Sequence, residues 1–577
     1  MIDSVRINRN VPMEMRDGTL LRADIYRQDD NQKHPAILLR TPYDKSLRAW
    51  RHDSFLNFVE AAHAGYAIVI QDVRGRFASD GEWIGADKFT GEGLDGYDSV
   101  EWIASQPWCD GNVGMSGISW MASLQWMAAQ ENPPHLKAIA PGGGGMASVG
   151  VGMQPPRESG AISPAVLLSG IPMTSLEVAD RLEREGEDVT EMRRTIEWVE
   201  SNPEEALYFL PLKDLPLLRF KQIRDRWNKA LQLVPETEQK KHQRYEKVTV
   251  PCLQMVGWYD TLEWTAFEAF KNMRERGGAQ IAREAQHLLI GPWWHLAWTS
   301  YLGAINFGAS ADMRRAMISE QNITFYDRYL RGKDVEIPTV RYFLMGKNIW
   351  KTADTWPPPE TQWQRFYLHS NGNANTAAGD GRLSRDEPGS ESPDTFIYDP
   401  HNPVPTVGGS FYGTGLVPGP LEQYYIEKRS DVLCYTTPEL KEDLEVTGPL
   451  EIHLFAATTA RDTDFTARVV DVYPDGRAYN LVDGIKRARA LKSVDQPELI
   501  NPGEVYEYVI STGNTSNLFR KGHRIRIQIS SSNFPMFDRN MNTGNPIGED
   551  TRGIIANQSI YHNSEYPSYI DLPVIPR

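Results

Sequence analysis

The segment over 113–129, VGMSGISWMASLQWMAA, restricts the possible folds of this chain more than any other feature of the sequence. Its pattern predicts a buried strand over 113–118, a tight corner at Gly117 and a helix that starts at Ser119. A serine at such a corner projects its hydroxyl beyond the sheet, as in a nucleophile elbow. The backbone N–H of Trp120 would then face an oxyanion at the helix N-terminus. The alternative is that Ser119 only caps the helix, and Met121 stands where the G-x-S-x-G motif has its second glycine.

Strand and helix signals alternate over roughly the first 140 residues. The pattern predicts strands over 35–40, 66–71, 113–118 and 136–140, with helices over 55–63, 97–103 and 119–129. Nearly continuous apolar strands between helices indicate a parallel sheet covered on both faces. Ligands of such sheets bind at the carboxyl ends of the strands. Asp72, Ser119 and the segment over 40–43 lie at these ends.

The alternation is interrupted at Gly142 and resumes near Val250. Residues 146–248 are rich in helix formers and charges, as in the runs over 183–194 and 219–231, which predicts a helical cap. The resumed part predicts strands over 250–256 and 288–290, with helices over 262–273 and 323–330. We therefore predict an α/β-hydrolase domain over 1–145 and 249–348, interrupted by a cap over 146–248.

The last part of the chain has the pattern of an all-β domain. Predicted strands lie over 450–455, 465–472, 505–510 and 524–530, separated by clusters of Gly, Pro, Asn and Asp. In the last of these, polar and apolar residues alternate strictly, which indicates a half-buried strand of an antiparallel sheet. Residues 349–577 are therefore predicted to form a C-terminal β jelly roll.

A serine nucleophile needs a base, and the base needs a carboxylate that orients it. Asp260 follows the predicted strand over 250–256, and His295 follows the predicted strand over 288–290. The order Ser119, Asp260, His295 is the order of the α/β-hydrolases. Alone, the aspartate would be taken for a turn residue and the histidine for a surface residue. Three such residues in order, each after its own strand, favour a catalytic triad.

A second oxyanion donor is expected from the loop after an earlier strand. That loop, over 40–45, is Arg-Thr-Pro-Tyr-Asp-Lys. Tyr43 could donate through its phenolic hydroxyl or its backbone N–H, and Pro42 would stiffen the approach. The residues alone favour the alternative of a solvated, charged loop.

The composition excludes several classes of protein. Hydrophobic residues make up 40% of the 577 residues and the net charge is −15, whereas binding of nucleic acid needs a basic surface. No apolar run approaches the ~20 residues that span a bilayer, and the first residues lack the features of a secretory signal. The three cysteines lie far apart along the chain, which suits a reducing compartment. We therefore expect a cytoplasmic protein. We also expect no cofactor and no metal, because the sequence has no P-loop, no Rossmann glycine pattern and no cluster of metal ligands.

Five motifs resemble the cocaine esterase family of serine hydrolases, which includes X-prolyl dipeptidyl peptidases and α-amino acid ester hydrolases. They are RTPYDKS (40–46), QDVRGRFASDGEW (71–83), WCDGNVGMSGISW (108–120), GWYD (257–260) and GPWWH (291–295). The segments over 446–478 and 519–544 resemble the family's jelly-roll domain. The resemblance covers nearly the whole chain and is weakest over 146–248.

The resemblance implies roles for individual residues. Ser119 would be the nucleophile, Asp260 the acid and His295 the base, with the Tyr43 hydroxyl and the Trp120 N–H as oxyanion donors. The segment from Asp72 to Gly75, with Ser79, Asp80 and Gly81, would form a scaffold near the site. The family commonly has G-x-S-Y-x-G at the elbow, where this chain has Trp120 and Ala122. The cap tryptophans of the cocaine-cleaving member are absent from 142–172, so its benzoyl specificity is not expected.

We predict a serine hydrolase that cleaves an ester, or an amide, of a small-to-medium acyl compound through an acyl-enzyme. One alternative is an X-Pro dipeptidyl peptidase or an α-amino acid ester hydrolase or acylase. Both need carboxylates beside Ser119, for which the cap offers acids such as Glu158, Glu177 and Asp180. The other alternative is a non-catalytic binding protein, since jelly rolls occur in lectins. Homo-oligomers are common in the family and are expected here.

Overall fold

The computed structural model describes residues 5–47, 55–83, 89–148, 155–224, 243–411, 413 and 415–576. A part with alternating strands and helices is followed, from about residue 340, by a part whose described regular elements are strands and one short 3-10 helix, Ala488–Ala490. The predicted division into an α/β part and an all-β part is therefore confirmed. The exact boundaries at 145, 248 and 348 stay predictions. No helix among the described residues is long and apolar enough to cross a membrane.

A mixed sheet of ten strands forms the centre of the α/β part. Its strands are β1 Val5–Glu14, β2 Leu20–Gln28, β3 His34–Thr41, β4 Ala67–Asp72, β5 Cys109–Ile118, β6 Leu136–Gly142, β7 Cys252–Tyr259, β8 Gln286–Trp294, β11 Val340–Leu344 and β12 Ile349–Ala353. A small hairpin, β9 Tyr301–Leu302 with β10 Ile305–Asn306, follows β8. The order in the sheet is β1-β2-β4-β3-β5-β6-β7-β8-β11-β12.

The seven central strands, in the sheet order β4-β3-β5-β6-β7-β8-β11, run parallel to one another. Strands β1, β2 and β12 are antiparallel to their neighbours. The strands that the sequence predicted over 35–40, 66–71, 113–118 and 136–140 are parallel, as expected, and antiparallel strands that were not predicted extend the sheet at both edges. Strand β1 was missed because most of its side chains are exposed, so it lacks the apolar signal of a buried strand.

Helices cover both faces of the sheet. Ala36 and Leu38 of β3 join one buried cluster, and Ile37 and Leu39 join another, as expected from the period of two in a strand. The described helices are α1 Phe58–His63, α2 Phe89–Ala104, α3 Trp120–Gln130, α4 Pro164–Arg184, α5 Thr190–Ser201, α6 Pro203–Tyr208, α7 Glu263–Arg276, α8 Gln280–Glu284 and α9 Ile318–Arg331. The first cluster is completed by α2, α3 and α7, and the second by α1 and α9.

Helices α4, α5 and α6 lie in the segment that was predicted to form a cap. They pack around a core of their own, which includes Val178, Ile196 and Leu217. The charged run over 183–194 is not one helix, because α4 ends at Arg184 and Gly186 follows with a φ of +92°. The run over 219–231 lies outside the described residues beyond 224.

An eleven-stranded sheet forms the all-β part. Its strands are β13 Gln362–His369, β14 Arg382–Ser384, β15 Asp394–Tyr398, β16 Leu433–Thr436, β17 Leu444–Thr458, β18 Asp464–Val472, β19 Ala478–Arg487, β20 Tyr506–Phe519, β21 Arg524–Ser530, β22 Ala556–Tyr561 and β23 Tyr569–Ile575. One buried cluster joins Val256 and Ile290 of the first sheet to Val446 and Ile510 of the second. The two parts therefore share a continuous core at the end of the sheet that carries β7 and β8.

Candidate active site

Ser119 forms the whole corner between β5 and α3. Its backbone has φ +62° and ψ −125°, a conformation that L residues with a Cβ rarely adopt. Its N–H donates to the Gly142 carbonyl oxygen at 2.8 Å, which fixes the corner against β6. Gly117 is required there, because a Cβ on it would lie 2.6 Å from the Met121 Cβ. The Ser119 side chain makes no capping hydrogen bond, so the alternative of a simple helix cap is wrong.

The three predicted triad residues meet at the carboxyl ends of β5, β7 and β8. His295 Nε2 lies 2.8 Å from Ser119 Oγ, and His295 Nδ1 lies 2.9 Å from Asp260 Oδ1. Both His295 and Asp260 are 1% exposed. An ionised carboxylate can only accept, so Nδ1 carries the proton and Nε2 is left to accept from the Ser119 hydroxyl. The arrangement can deprotonate a serine.

Strands β7 and β8 extend further than predicted, to Tyr259 and Trp294, so Asp260 and His295 are the first residues beyond them. The sequence suggested earlier ends because glycines follow Val256 and Ile290. These glycines instead allow close packing: a Cβ on Gly257 or on Gly291 would lie within 2.3 Å of Trp293. His287, predicted to precede its strand, is the second residue of β8 and still lies at the opposite end from Ser119.

Gly143 lies against both Asp260 and His295 and was not predicted from the sequence. It has a φ of +55°, and a Cβ on it would lie 3.0 Å from Asp260 Oδ2 and 3.3 Å from His295 Nδ1. Its N–H donates to the Met255 carbonyl oxygen at 2.7 Å. The four consecutive glycines over 142–145 were a signal for this close approach, although they were interpreted only as a break in the pattern.

The loop that carries Tyr43 is fixed at several points. Lys45 Nζ lies 2.7 Å from Asp72 Oδ2, and the Lys45 N–H donates to Asp72 Oδ1 at 2.8 Å. Both side chains are buried, so this ion pair is shielded from solvent. The loop is therefore ordered and not the solvated, charged loop that the residues alone favoured.

The Tyr43 N–H donates to Thr41 Oγ1 at 3.0 Å, so of the two predicted donor groups of Tyr43 the backbone N–H is bound within its own loop. Trp120 is the first residue of α3, and no described residue accepts a hydrogen bond from its backbone N–H. Unsatisfied N–H groups at a helix start suit an anion. The Trp120 N–H therefore lies at the start of α3, directly after the corner at Ser119.

Glu263 is a second buried carboxyl group close to the triad and was not predicted. It follows Asp260 in the first turn of α7, and its Oε1 accepts from the Asn514 N–H of β20 at 3.1 Å. Burial raises the pKa of Glu263 to about 8, and the nearby charge of Asp260 adds to the rise. A cavity of about 100 Å³ lies beside it, between the cap and the all-β part.

Among the described residues, no group of three or more His, Cys, Asp or Glu side chains is arranged to hold a metal ion.

Models of two protein families match the chain. The model of the X-Pro dipeptidyl-peptidase (S15 family) matches residues 17–297. The model of the X-Pro dipeptidyl-peptidase C-terminal non-catalytic domain matches residues 334–571. The second match coincides with the all-β part.

Similar proteins include the cocaine esterase of Rhodococcus sp. (strain MB1 Bresler), which is 38% identical over all of both chains. An aminopeptidase from the archaeon Thaumarchaeota archaeon matches with a TM-score of 0.79 and 24% identity, over 100% of this chain and 97% of the other. An α-amino acid ester hydrolase matches with a TM-score of 0.77 and 24% identity, over 99% and 97% of the two chains. These two structures show a shared fold.

Proposed function

Because this chain belongs to the X-Pro dipeptidyl-peptidase (S15) family of serine hydrolases, we propose that Ser119 is its nucleophile, His295 its base and Asp260 its acid. The chain is a serine ester hydrolase with a catalytic domain and a C-terminal all-β non-catalytic domain. The observation that carries the assignment is the unbroken chain of contacts from Ser119 Oγ through His295 to Asp260, at 2.8 and 2.9 Å.

The proposed reaction follows from these contacts. His295 Nε2 takes the Ser119 proton as Oγ attacks the carbonyl carbon, and Asp260 stabilises the imidazolium. The Trp120 N–H and the Tyr43 hydroxyl bind the oxyanion of the tetrahedral intermediate. His295 then gives the proton to the leaving group, and water repeats the sequence on the acyl-enzyme.

The fold supports the same proposal at a finer level. The proposed nucleophile, acid and base follow β5, β7 and β8, which lie near one another in the order β5-β6-β7-β8. That is the chain order of an α/β-hydrolase. We likewise propose a jelly roll for the all-β part, since its eleven strands pair almost wholly antiparallel around one core.

An ester is favoured over a substrate with a free ammonium group. Of the cap acids, Glu177 is 7% exposed and belongs to α4. Its charge acts on Arg76, as does that of Asp180, so the negative charge of this part of the cap is offset by a guanidinium of the protein itself. An X-Pro dipeptidyl peptidase or an α-amino acid ester hydrolase would need such carboxylates for the substrate.

The substrate class is a small-to-medium acyl ester. The cap stretch over 142–172 has no tryptophan, so we do not extend the substrate named for the Rhodococcus relative to this chain. Part of this stretch, over 149–154 and including Met153, lies outside the described residues. A cytoplasmic location and a homo-oligomeric state remain part of the proposal.

The test compares hydrolysis of p-nitrophenyl butyrate and of Gly-Pro-p-nitroanilide. We expect fast ester cleavage that is lost in Ser119→Ala. The matched control is Ser123→Ala on the same helix, whose hydroxyl pairs with Ser148 at 3.0 Å and not with His295. Ester cleavage that survives in Ser119→Ala would refute the assignment. Anilide cleavage at a comparable rate would instead favour the peptidase.

A further inference from the structure

The two proposed oxyanion donors belong to segments that are far apart in the sequence, namely the loop of Tyr43 and the first turn of α3. The side chain of Arg76 reaches the neighbours of both. Arg76 follows β4 in the turn after Asp72. Its Nε donates to the Pro42 carbonyl oxygen at 3.0 Å. Its guanidinium lies 4.7 Å from the centre of the Trp83 ring.

The contact with Pro42 fixes the backbone on which Tyr43 is mounted. The Pro42 carbonyl and the Tyr43 N–H belong to one peptide unit, which is planar. Arg76 holds the oxygen of that unit, and Thr41 Oγ1 holds its N–H at 3.0 Å. With both ends of the plane bound, the position of the Tyr43 Cα and the direction of its side chain are restricted.

The contact with Trp83 extends the same support to the other donor. The Trp83 and Trp120 rings lie 5.8 Å apart between centroids, at an angle of 47°. Trp120 is the first residue of α3, so packing on its ring restrains the backbone N–H next to Ser119. A guanidinium over an indole is attracted by the ring, and the attraction strengthens as water is excluded.

Three carboxyl groups surround the Arg76 guanidinium. Burial lowers the pKa of Arg76, and the charges of Glu177 and Asp180 of α4 and of Asp72 at the end of β4 oppose that effect. A guanidinium remains protonated throughout the ordinary pH range. The cap helix thus supplies negative charge to a cation that lies between the two donor segments.

We infer that Arg76 is a positioning residue that fixes the positions of Tyr43 and Trp120 relative to each other around the oxyanion. The inference rests on the proposed function, since it assumes that these two groups bind the oxyanion of an ester. Arg76 acts through Pro42 and Trp83 and does not touch the reacting atoms. Its effect therefore falls on the transition state, where the donors must be well placed, more than on substrate binding.

The test measures kcat and KM for p-nitrophenyl butyrate and the inhibition constant of butaneboronic acid, which forms a tetrahedral adduct on serine. In Arg76→Gln we expect kcat to fall about 10- to 100-fold, since one oxyanion donor alone is worth about 10²–10³-fold. KM should stay within about threefold of the wild-type value, because the donors that Arg76 positions bind the oxyanion of the transition state and not the ground-state substrate. The inhibition constant should rise by about the factor by which kcat falls.

A double-mutant cycle with Tyr43→Phe gives a readout that loss of stability does not produce. If Arg76 acts through Tyr43, its substitution costs less in the Tyr43→Phe background than alone. The matched control is Arg328→Gln: Arg328 donates to the Val335 carbonyl oxygen and lies over the Tyr329 ring, but on α9. Its kcat should equal that of the wild type. Arg76→Lys, which keeps the charge, should regain part of the lost kcat and serves if Arg76→Gln does not fold.

An unchanged kcat in a folded Arg76→Gln variant, a change in KM alone, or full additivity with Tyr43→Phe would overturn the inference. Where Arg76→Gln does not fold, full additivity of Arg76→Lys with Tyr43→Phe would overturn it. The outcome is separable from that for the proposed function through Ser119→Ala. If Ser119→Ala is inactive and Arg76→Gln is normal, the nucleophile stands and only the role of Arg76 fails. If Ser119→Ala is active, both fail.

Discussion

The backbone strain at Ser119 can be measured by comparing Ser119→Gly with Ser119→Ala. Both variants lack the hydroxyl, so we expect both to be inactive, and both lose the hydrogen bond to His295. They differ only in the Cβ, which is strained at φ +62° and ψ −125°. A glycine adopts this conformation freely, because it is the one found at the first central residue of a type II′ turn.

The magnitude follows from two opposed effects. Strain of this kind costs about 1–3 kcal/mol, and glycine removes it. Glycine also loses more backbone entropy on folding, which costs roughly 0.5–1 kcal/mol relative to alanine. Ser119→Gly should therefore be the more stable variant by about 1 kcal/mol. For a domain of this size that corresponds to a Tm roughly 2–4 °C higher.

The assay is thermal unfolding of both variants under the same conditions. Ser123 is the matched control site, because it lies in the regular part of α3 and both substitutions remove its contact with Ser148. There the order should reverse, with glycine less stable than alanine by about 1 kcal/mol. A Tm of Ser119→Gly at or below that of Ser119→Ala would show that the corner stores no strain.

Two further predictions concern the acid side of the site. Gly143→Ala should lower kcat by at least about 10-fold, because the new methyl group would displace Asp260 and His295 from a near-attack geometry; an unchanged kcat would contradict the packing. Glu263→Gln should change stability in a pH-dependent way. Burial raises the pKa of Glu263 in the folded protein to about 8, above its usual 4.5, so wild-type stability is lost as the pH rises through this window. The Tm of the variant relative to wild type should increase between pH 5 and pH 9, and a constant difference would contradict the raised pKa.

The sequence predicts the strands whose residues are apolar throughout or alternate regularly between polar and apolar. Strand β21 has the predicted bounds of Arg524 and Ser530, because its alternation is strict and both ends meet turn residues. Strand β1 escaped prediction because its exposed, polar edge position carries no apolar period. Strand β17 runs from Leu444 to Thr458, whereas the sequence predicted only 450–455. The prediction was too short because Gly448 and Pro449 inside the strand resemble a turn. Pairing with β20 and β23 outweighs that local preference.

The candidate triad was accessible from the sequence because each member directly follows a strand, and the order of the three is fixed by the fold. Its supports were not, because they depend on contacts between distant segments. Arg76 binds a carbonyl oxygen 34 positions earlier, and Glu263 binds an N–H 251 positions later. Neither residue belongs to a pattern with a period, so no local rule could single it out.

Glycines at the carboxyl ends of β6, β7 and β8 explain why the ends of these elements were predicted too early. They also explain how the residues of the site come so close together. Glycine in a sequence usually signals a turn, so Gly257 and Gly291 suggested that their strands ended early and Gly142 suggested a domain boundary. In the structure a Cβ on Gly142 would lie 2.0 Å from the Phe55 ring, and one on Gly145 would lie 1.8 Å from the Thr265 carbonyl oxygen. The absence of side chains lets three strands and α7 approach closely enough to bring Ser119, Asp260 and His295 within hydrogen-bond distance. The glycines that interrupt the strand pattern in the sequence therefore allow the close packing on which the geometry of the candidate site depends.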